Sequence, residues 1–124
     1  MLAKEATKIL IEKKALDVRL YNVTGENSIT DFYVNATGRS STHVSSLADD
    51  IADTISDMGI PPLRVEGKRG VAWILVDFGD VIINIFDKQS REFYNFDRLL
   101  PSESEIDITE LEREVDLKMQ TIKE

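Results

Sequence analysis

The sequence predicts an α/β fold: a mixed β-sheet of about five strands covered by helices, with a C-terminal amphipathic helix appended. Three observations carry this expectation. Residues 71–76 and 81–86 are two nearly continuous apolar runs joined by Asp77-Phe78-Gly79-Asp80, the pattern of a strand hairpin closed by a short Gly-containing turn. Val44, Leu47, Ala48, Ile51, Ala52, Ile55 and Met58 recur at helical spacing and form one apolar stripe. The chain has 124 residues, 42% of them hydrophobic and 31% charged, which is the size and composition of one domain with its own core.

Taken in order, Leu2, Ala6, Ile9 and Leu10 with charged residues between them predict an amphipathic helix over residues 3–14. Leu16 to Tyr21 alternates apolar with polar, as a half-buried strand does. Thr24-Gly25-Glu26-Asn27-Ser28 is a turn, and residues 31–36 a second strand stopped by Thr37-Gly38. The long stripe then gives a helix that Ser40 or Ser41 can cap, Gly59 can end in the left-handed conformation, and Pro61-Pro62 forbids from continuing. Leu63 to Glu66 is a short strand, and Gly67-Lys68-Arg69-Gly70 a loop. The run 71–76 reads as a central strand covered on both faces, and 81–86 as its hairpin partner. Residues 93–100 form a short helix packing its aromatics down.

Pro101 marks a change of composition. Residues 101–124 hold eight acids against three bases. Ile108, Leu111, Val115 and Ile122 share a helical stripe, and Asp107 or Thr109 can cap it. An isolated helix of this length is marginal, so it must dock on something. The chain thus divides into an α/β body, 1–100, and an acidic helical extension, 101–124.

The formal net charge is −8. This excludes a generally basic DNA-coating protein and suits a basic partner. Cysteine is absent, which removes disulfide scaffolds, thiolate metal sites and Cys nucleophiles. One histidine, His43, does not make a histidine zinc site. The sequence offers neither a signal peptide nor a bilayer-spanning run, so a cytoplasmic protein with no membrane partner is expected.

Candidate chemistry is sparse. Asp77 and Asp80 bracket a turn, where two carboxylates could hold Mg²⁺ for phosphoryl transfer. Three positions apart on a continuing strand they would point to opposite sides, so turn formation is the competing reading. Gly38-Arg39-Ser40-Ser41 before a helix could cradle an anion, but no P-loop pattern is present and a capped strand-to-helix turn explains it. His43 near Ser41 would need a convergent Asp to form a triad, against a role in the first helical turn. Lys68 and Arg69 are too few for a nucleic-acid footprint, and serve as a solvated loop or a contact to an acidic group. Trp73 suits a binding hot spot or a core position equally well. No catalytic constellation and no cofactor emerges, which favours a binding module.

Five segments carry a resemblance. Ile29-Thr30-Asp31-Phe32-Tyr33-Val34-Asn35-Ala36-Thr37 with Gly38, Ser40-Ser41 and His43-Val44 comes first. Gly59-Ile60-Pro61-Pro62-Leu63-Arg64-Val65-Glu66-Gly67, Trp73, Asp77-Phe78-Gly79-Asp80-Val81-Ile82-Ile83, and Arg91-Glu92-Phe93-Tyr94 with Leu99 follow. In this order and spacing the chain resembles the ribosomal silencing factor, or Iojap, family from residue 3 to residue 100. The resemblance implies a nucleotidyltransferase-like topology that has lost catalysis. It further implies binding to the large ribosomal subunit through a basic ribosomal protein on its intersubunit face, so that the small subunit cannot join. By position it makes Trp73 and Phe78 apolar anchors that can be replaced without loss of the fold, with Asp77 and Asp80 pairing with partner cations. Lys68 and Arg69 put positive charge in a loop that is often acidic in the family, which either weakens attraction to a basic protein or favours rRNA phosphate. Family members are often dimeric when free, so a homodimer is a possible state. The alternative is a nucleotidyltransferase-like enzyme using Asp77 and Asp80 with Mg²⁺. Asn84 stands where the family usually has His, Thr42 where it has Arg, and residues 102–124 lie beyond its usual end.

Overall fold

The computed structural model describes residues 1–25, 29–67 and 72–123. Helix α1 (Leu2–Glu12) buries Ala3, Ala6, Thr7 and Leu10 on one face. Thr7 is tolerated there because its hydroxyl donates to the Ala3 carbonyl at 2.8 Å. Strands β1 (Leu16–Asn22) and β2 (Phe32–Gly38) pair antiparallel, with an irregularity between Leu16 and Arg19 where Asp17 adopts φ 46°. Helix α2 (Ser41–Asp57) is capped by Ser40, whose Oγ accepts from the His43 N–H at 3.1 Å. It buries Val44, Leu47, Ala48, Ile51 and Ile55, and Gly59, at φ +92°, ends it as expected. Gly38 permits the tight passage from β2 into α2, since a Cβ there would lie 2.7 Å from Val44 Cγ2.

Strands β3 (Arg64–Glu66), β4 (Trp73–Asp77) and β5 (Val81–Asp87) follow, then helix α3 (Lys88–Tyr94) and a 3₁₀ turn over Phe96–Leu99. A two-residue strand β6 (Glu105–Ile106) and helix α4 (Thr109–Lys123) complete the chain. The result is one mixed, open six-stranded sheet in the order β3-β4-β5-β2-β1-β6. The central pair β2 and β5 is parallel, and the other pairings are antiparallel. Helices α1 and α2 cover one face. Leu10, Leu20, Val34, Leu47, Ile51 and Ile83 lie in the core between them and the sheet.

Three expectations change. The doubly buried central strand is β5, while β4 lies next to the edge and alternates between half-buried and buried. Its outward residues, Trp73 and Leu75, are apolar, which conceals the alternation in the sequence. The helix expected at 93–100 begins at Lys88, because the Asp87 carboxylate accepts from the Ser90 N–H at 2.7 Å and caps it there. Asn95 at φ 48° ends it, and the 3₁₀ turn takes up the remainder. Finally, residues 101–124 supply a sixth strand: β6 pairs with β1, and α4 rests on α1 with Leu111 and Val115 buried. Lys8 meets Glu114 at 3.3 Å, and Lys118 meets Glu12 at 2.9 Å, across that contact.

Candidate partner-binding site

The sheet face opposite α1 and α2 is only partly covered, by α3 and the 3₁₀ turn. Strand alternation places Trp73, Leu75 and Asp77 of β4 on this face. Register adds Arg64 beside Asp77 and Glu66 beside Leu75 on β3. Trp73 is half-buried. Its ring lies 4.8 Å from Phe86, 5.0 Å from Tyr94 and 5.9 Å from Phe96, centroid to centroid. Its Nε1–H donates to Asn84 Oδ1 at 3.0 Å. One edge of the indole is therefore held, while the ring borders a shallow cleft with Glu66, Gly67 and Leu75.

Both ends of β4 carry exposed apolar groups. Beside Trp73, Tyr94 is 53% and Phe93 80% exposed, and their rings meet at 5.1 Å. At the other end Leu63, 73% exposed, lies against the Gly79 turn, 3.3 Å from the position a Cβ there would take. Arg64 stands between, its Nε 3.1 Å from Asp77 Oδ2 and its Nη1 2.6 Å from Glu66 Oε1. Among the described residues, two acids against one base leave this strip negative. Sequence reasoning missed Leu63, Phe93 and Tyr94 as surface groups: Leu63 looks like core until the strand register is known, and the two aromatics, expected to pack down, instead stand exposed on α3.

The predicted site residues divide accordingly. Trp73 and Asp77 share one face of β4. Asp80 is exposed at the turn, and its carbonyl accepts from Asp31 and Phe32 N–H groups at 3.1 and 3.0 Å. Phe78 is 8% exposed and belongs to the core. The expectation that it can be replaced without loss of the fold is therefore corrected. Trp73 too carries stacking contacts, so its replacement also has a structural cost. Lys68 and Arg69 lie outside the described residues.

The Mg²⁺ arrangement finds little support in this geometry. Asp77 Oδ1 accepts from the Gly79 N–H at 2.8 Å and Oδ2 from Arg64, so the carboxylate is committed to closing the turn and holding β3. Among the described residues, no three acidic or histidine side chains converge as metal ligands do. His43 likewise works locally: its Nδ1 accepts from the Arg39 N–H at 2.9 Å, and its Nε2 lies 3.0 Å from the Lys13 carbonyl. An accepting Nδ1 makes Nε2 the donor, so the ring ties the end of α1 to the start of α2. No helix among the described residues is long and apolar enough to cross a membrane.

Comparison with known proteins bears on the chain as a whole. The family model described as "Ribosomal silencing factor during starvation" matches residues 1–123 and so takes in the C-terminal segment that was expected beyond the family's end. A ribosomal silencing factor from Zymomonas mobilis is 37% identical over 80% of this chain and 74% of its own length. A mouse protein named for mitochondrial assembly of the ribosomal large subunit is 27% identical over 73% of this chain and 41% of its own. A crystal structure of a Chromobacterium violaceum protein superposes with TM-score 0.76 at 27% identity, covering 82% of this chain and 88% of that one. One from Bacillus halodurans gives 0.71 at 31% identity, covering 82% and 92%.

Proposed function

The chain belongs to the ribosomal silencing factor family, and on that basis we propose that it is a translational repressor acting by occupancy. It binds the large ribosomal subunit in the cytoplasm, through a basic ribosomal protein on the intersubunit face, and so excludes the small subunit. The observation that carries this reading is the β4 face: a half-buried tryptophan and exposed aromatics beside a net-negative strip. Aromatic anchors rimmed by charge are the usual composition of an interface hot spot, and a negative strip attracts a basic partner. Trp73 is the central anchor and the exposed Asp80 faces partner cations, while Asp77, held by Arg64 and the Gly79 N–H, adds its negative charge from within the strip. Phe78 acts from beneath by holding the turn. Lys68 and Arg69, between β3 and β4 in sequence, are candidates for rRNA phosphate.

No chemical step is required. Blocking needs only that the factor stays bound longer than the small subunit takes to arrive. The relative named for large-subunit assembly favours the same partner. The test is subunit joining, followed by light scattering, with parent chain and Trp73→Ala. Trp73→Ala should weaken inhibition by about 2 kcal/mol or more, a shift of roughly thirtyfold in the concentration needed. Far-UV circular dichroism confirms that the variant is folded at the assay temperature. Equal inhibition by a folded Trp73→Ala would remove this face from the interface.

A further inference from the structure

Beneath the proposed docking face runs a line of hydrogen-bonded polar side chains. Trp73 Nε1–H donates to Asn84 Oδ1 at 3.0 Å, and Asn84 Nδ2 donates to Asn35 Oδ1 at 3.0 Å. Asn35 Nδ2 then donates to Asp97 Oδ1 at 2.7 Å. Arg91 closes the line, its Nη2 donating to Asp97 Oδ2 at 2.6 Å and its Nη1 to Thr37 Oγ1 at 3.0 Å and the Asp17 carbonyl at 2.6 Å. Asn35 and Asn84 are fully buried and lie directly opposite each other in the parallel β2–β5 register.

The chemistry at the two ends dictates every bond between them. An indole N–H only donates, and a carboxylate only accepts. Asn35 must therefore turn its amide nitrogen towards Asp97 and its oxygen towards Asn84. Asn84 must in turn offer its oxygen to Trp73. The line has one polarity, and a single reversed amide breaks it. It joins β4, β5 and β2 to the 3₁₀ turn and α3, and thus ties Trp73 to the segment bearing Phe93 and Tyr94. Among the described residues the buried amides have no other partners, so a broken link leaves a desolvated polar group and favours repacking around it.

Resting on the docking reading above, we infer that Asn84, Asn35, Asp97 and Arg91 are positioning residues. They hold the Trp73 indole and the aromatic α3 segment in one preformed docking surface. Preorganisation of this kind raises affinity without adding a contact, because the ordering cost is met before binding.

The test uses the full chain and the polarity rule. Asp97→Asn places an amide where only a carboxylate can accept from both Asn35 and Arg91. Adding Asn35→Asp restores a bond at every step, with the 35–97 link now donated from residue 97. Trp73 is the sole tryptophan, so its near-ultraviolet circular dichroism reports the indole directly. D97N should keep its far-ultraviolet spectrum, change the Trp73 signal and bind separated large subunits about tenfold more weakly. N35D/D97N should recover both signals in large part. D97N with an unchanged Trp73 signal overturns the proposal, even if binding falls, because the loss then comes from charge or direct contact. A changed Trp73 signal with unchanged binding also overturns it. If the parent chain itself does not bind large subunits, the docking reading fails and the positioning role falls with it.

Discussion

Phe78 separates a core residue from a contact residue. It sits at the β4–β5 turn, 8% exposed, within the core cluster, and its N–H donates to the Val81 carbonyl at 2.9 Å. Phe78→Ala removes the ring and leaves a cavity that the neighbouring strands cannot fully close. Phe-to-Ala changes in cores cost about 3–5 kcal/mol, and a site near a turn, which can relax, belongs at the lower end. Unfolding entropy of about 2.1 cal/mol/K per residue gives roughly 0.26 kcal/mol/K for 124 residues. A loss of about 3 kcal/mol therefore lowers Tm by roughly 12 °C. The assay is thermal unfolding by far-UV circular dichroism, with urea unfolding to check that the m-value is unchanged. Below its Tm the variant should still bind large subunits. A Tm within about 3 °C of the parent, together with lost binding, would refute the placement of this ring in the core.

Other expectations follow from the same contacts. Truncation after Leu100 exposes the α1 surface covered by Leu111 and Val115 and frees the β1 edge; it should cost at least about 3 kcal/mol in urea unfolding, from the burial of those two side chains alone. Asp87→Ala removes the α3 cap and should cost about 1 kcal/mol, read by the same method. Burial, with Asp97 and Glu105 nearby, pushes the Tyr21 hydroxyl up to about 12. Its folded value exceeds the unfolded one near 10, so its contribution to stability is complete below pH 10 and is lost as pH rises towards 12. In a spectrophotometric titration, Tyr21→Phe should delete the highest tyrosine step; retention of that step would assign it elsewhere. ATP with Mg²⁺ should leave Tm unchanged, whereas a saturable rise would revive the enzymatic alternative.

Much of the fold was legible because burial imposes periodicity. The α2 stripe appears in the sequence at helical spacing because one face of that helix meets the sheet. Strand β5 reads as an apolar run broken only by Asn84 because both its faces are covered. Strand β6 has two residues and carries no period to read. The start of α3 was hidden because Lys88-Gln89-Ser90 has no apolar residue, and only the Asp87 cap reveals it. The docking face was half legible. Trp73 stood out by type, but Leu63, Tyr94 and Phe93 needed tertiary placement. Phe78 was taken as a contact from the resemblance, whereas strand alternation alone sets it with Ile74 and Val76 on the core face, opposite Trp73, Leu75 and Asp77. The polar line was not legible at all: its members lie 11, 49 and 62 positions apart along the chain, and only the parallel β2–β5 register brings them together.

The central claim is occupancy of the large subunit. It is tested most directly by mixing the full chain with separated ribosomal subunits at modest salt and following both on a sucrose gradient. The chain should co-migrate with the large subunit alone, with fewer joined particles as the factor is raised. Migration apart from the large subunit, or unchanged joining at saturation, would contradict it.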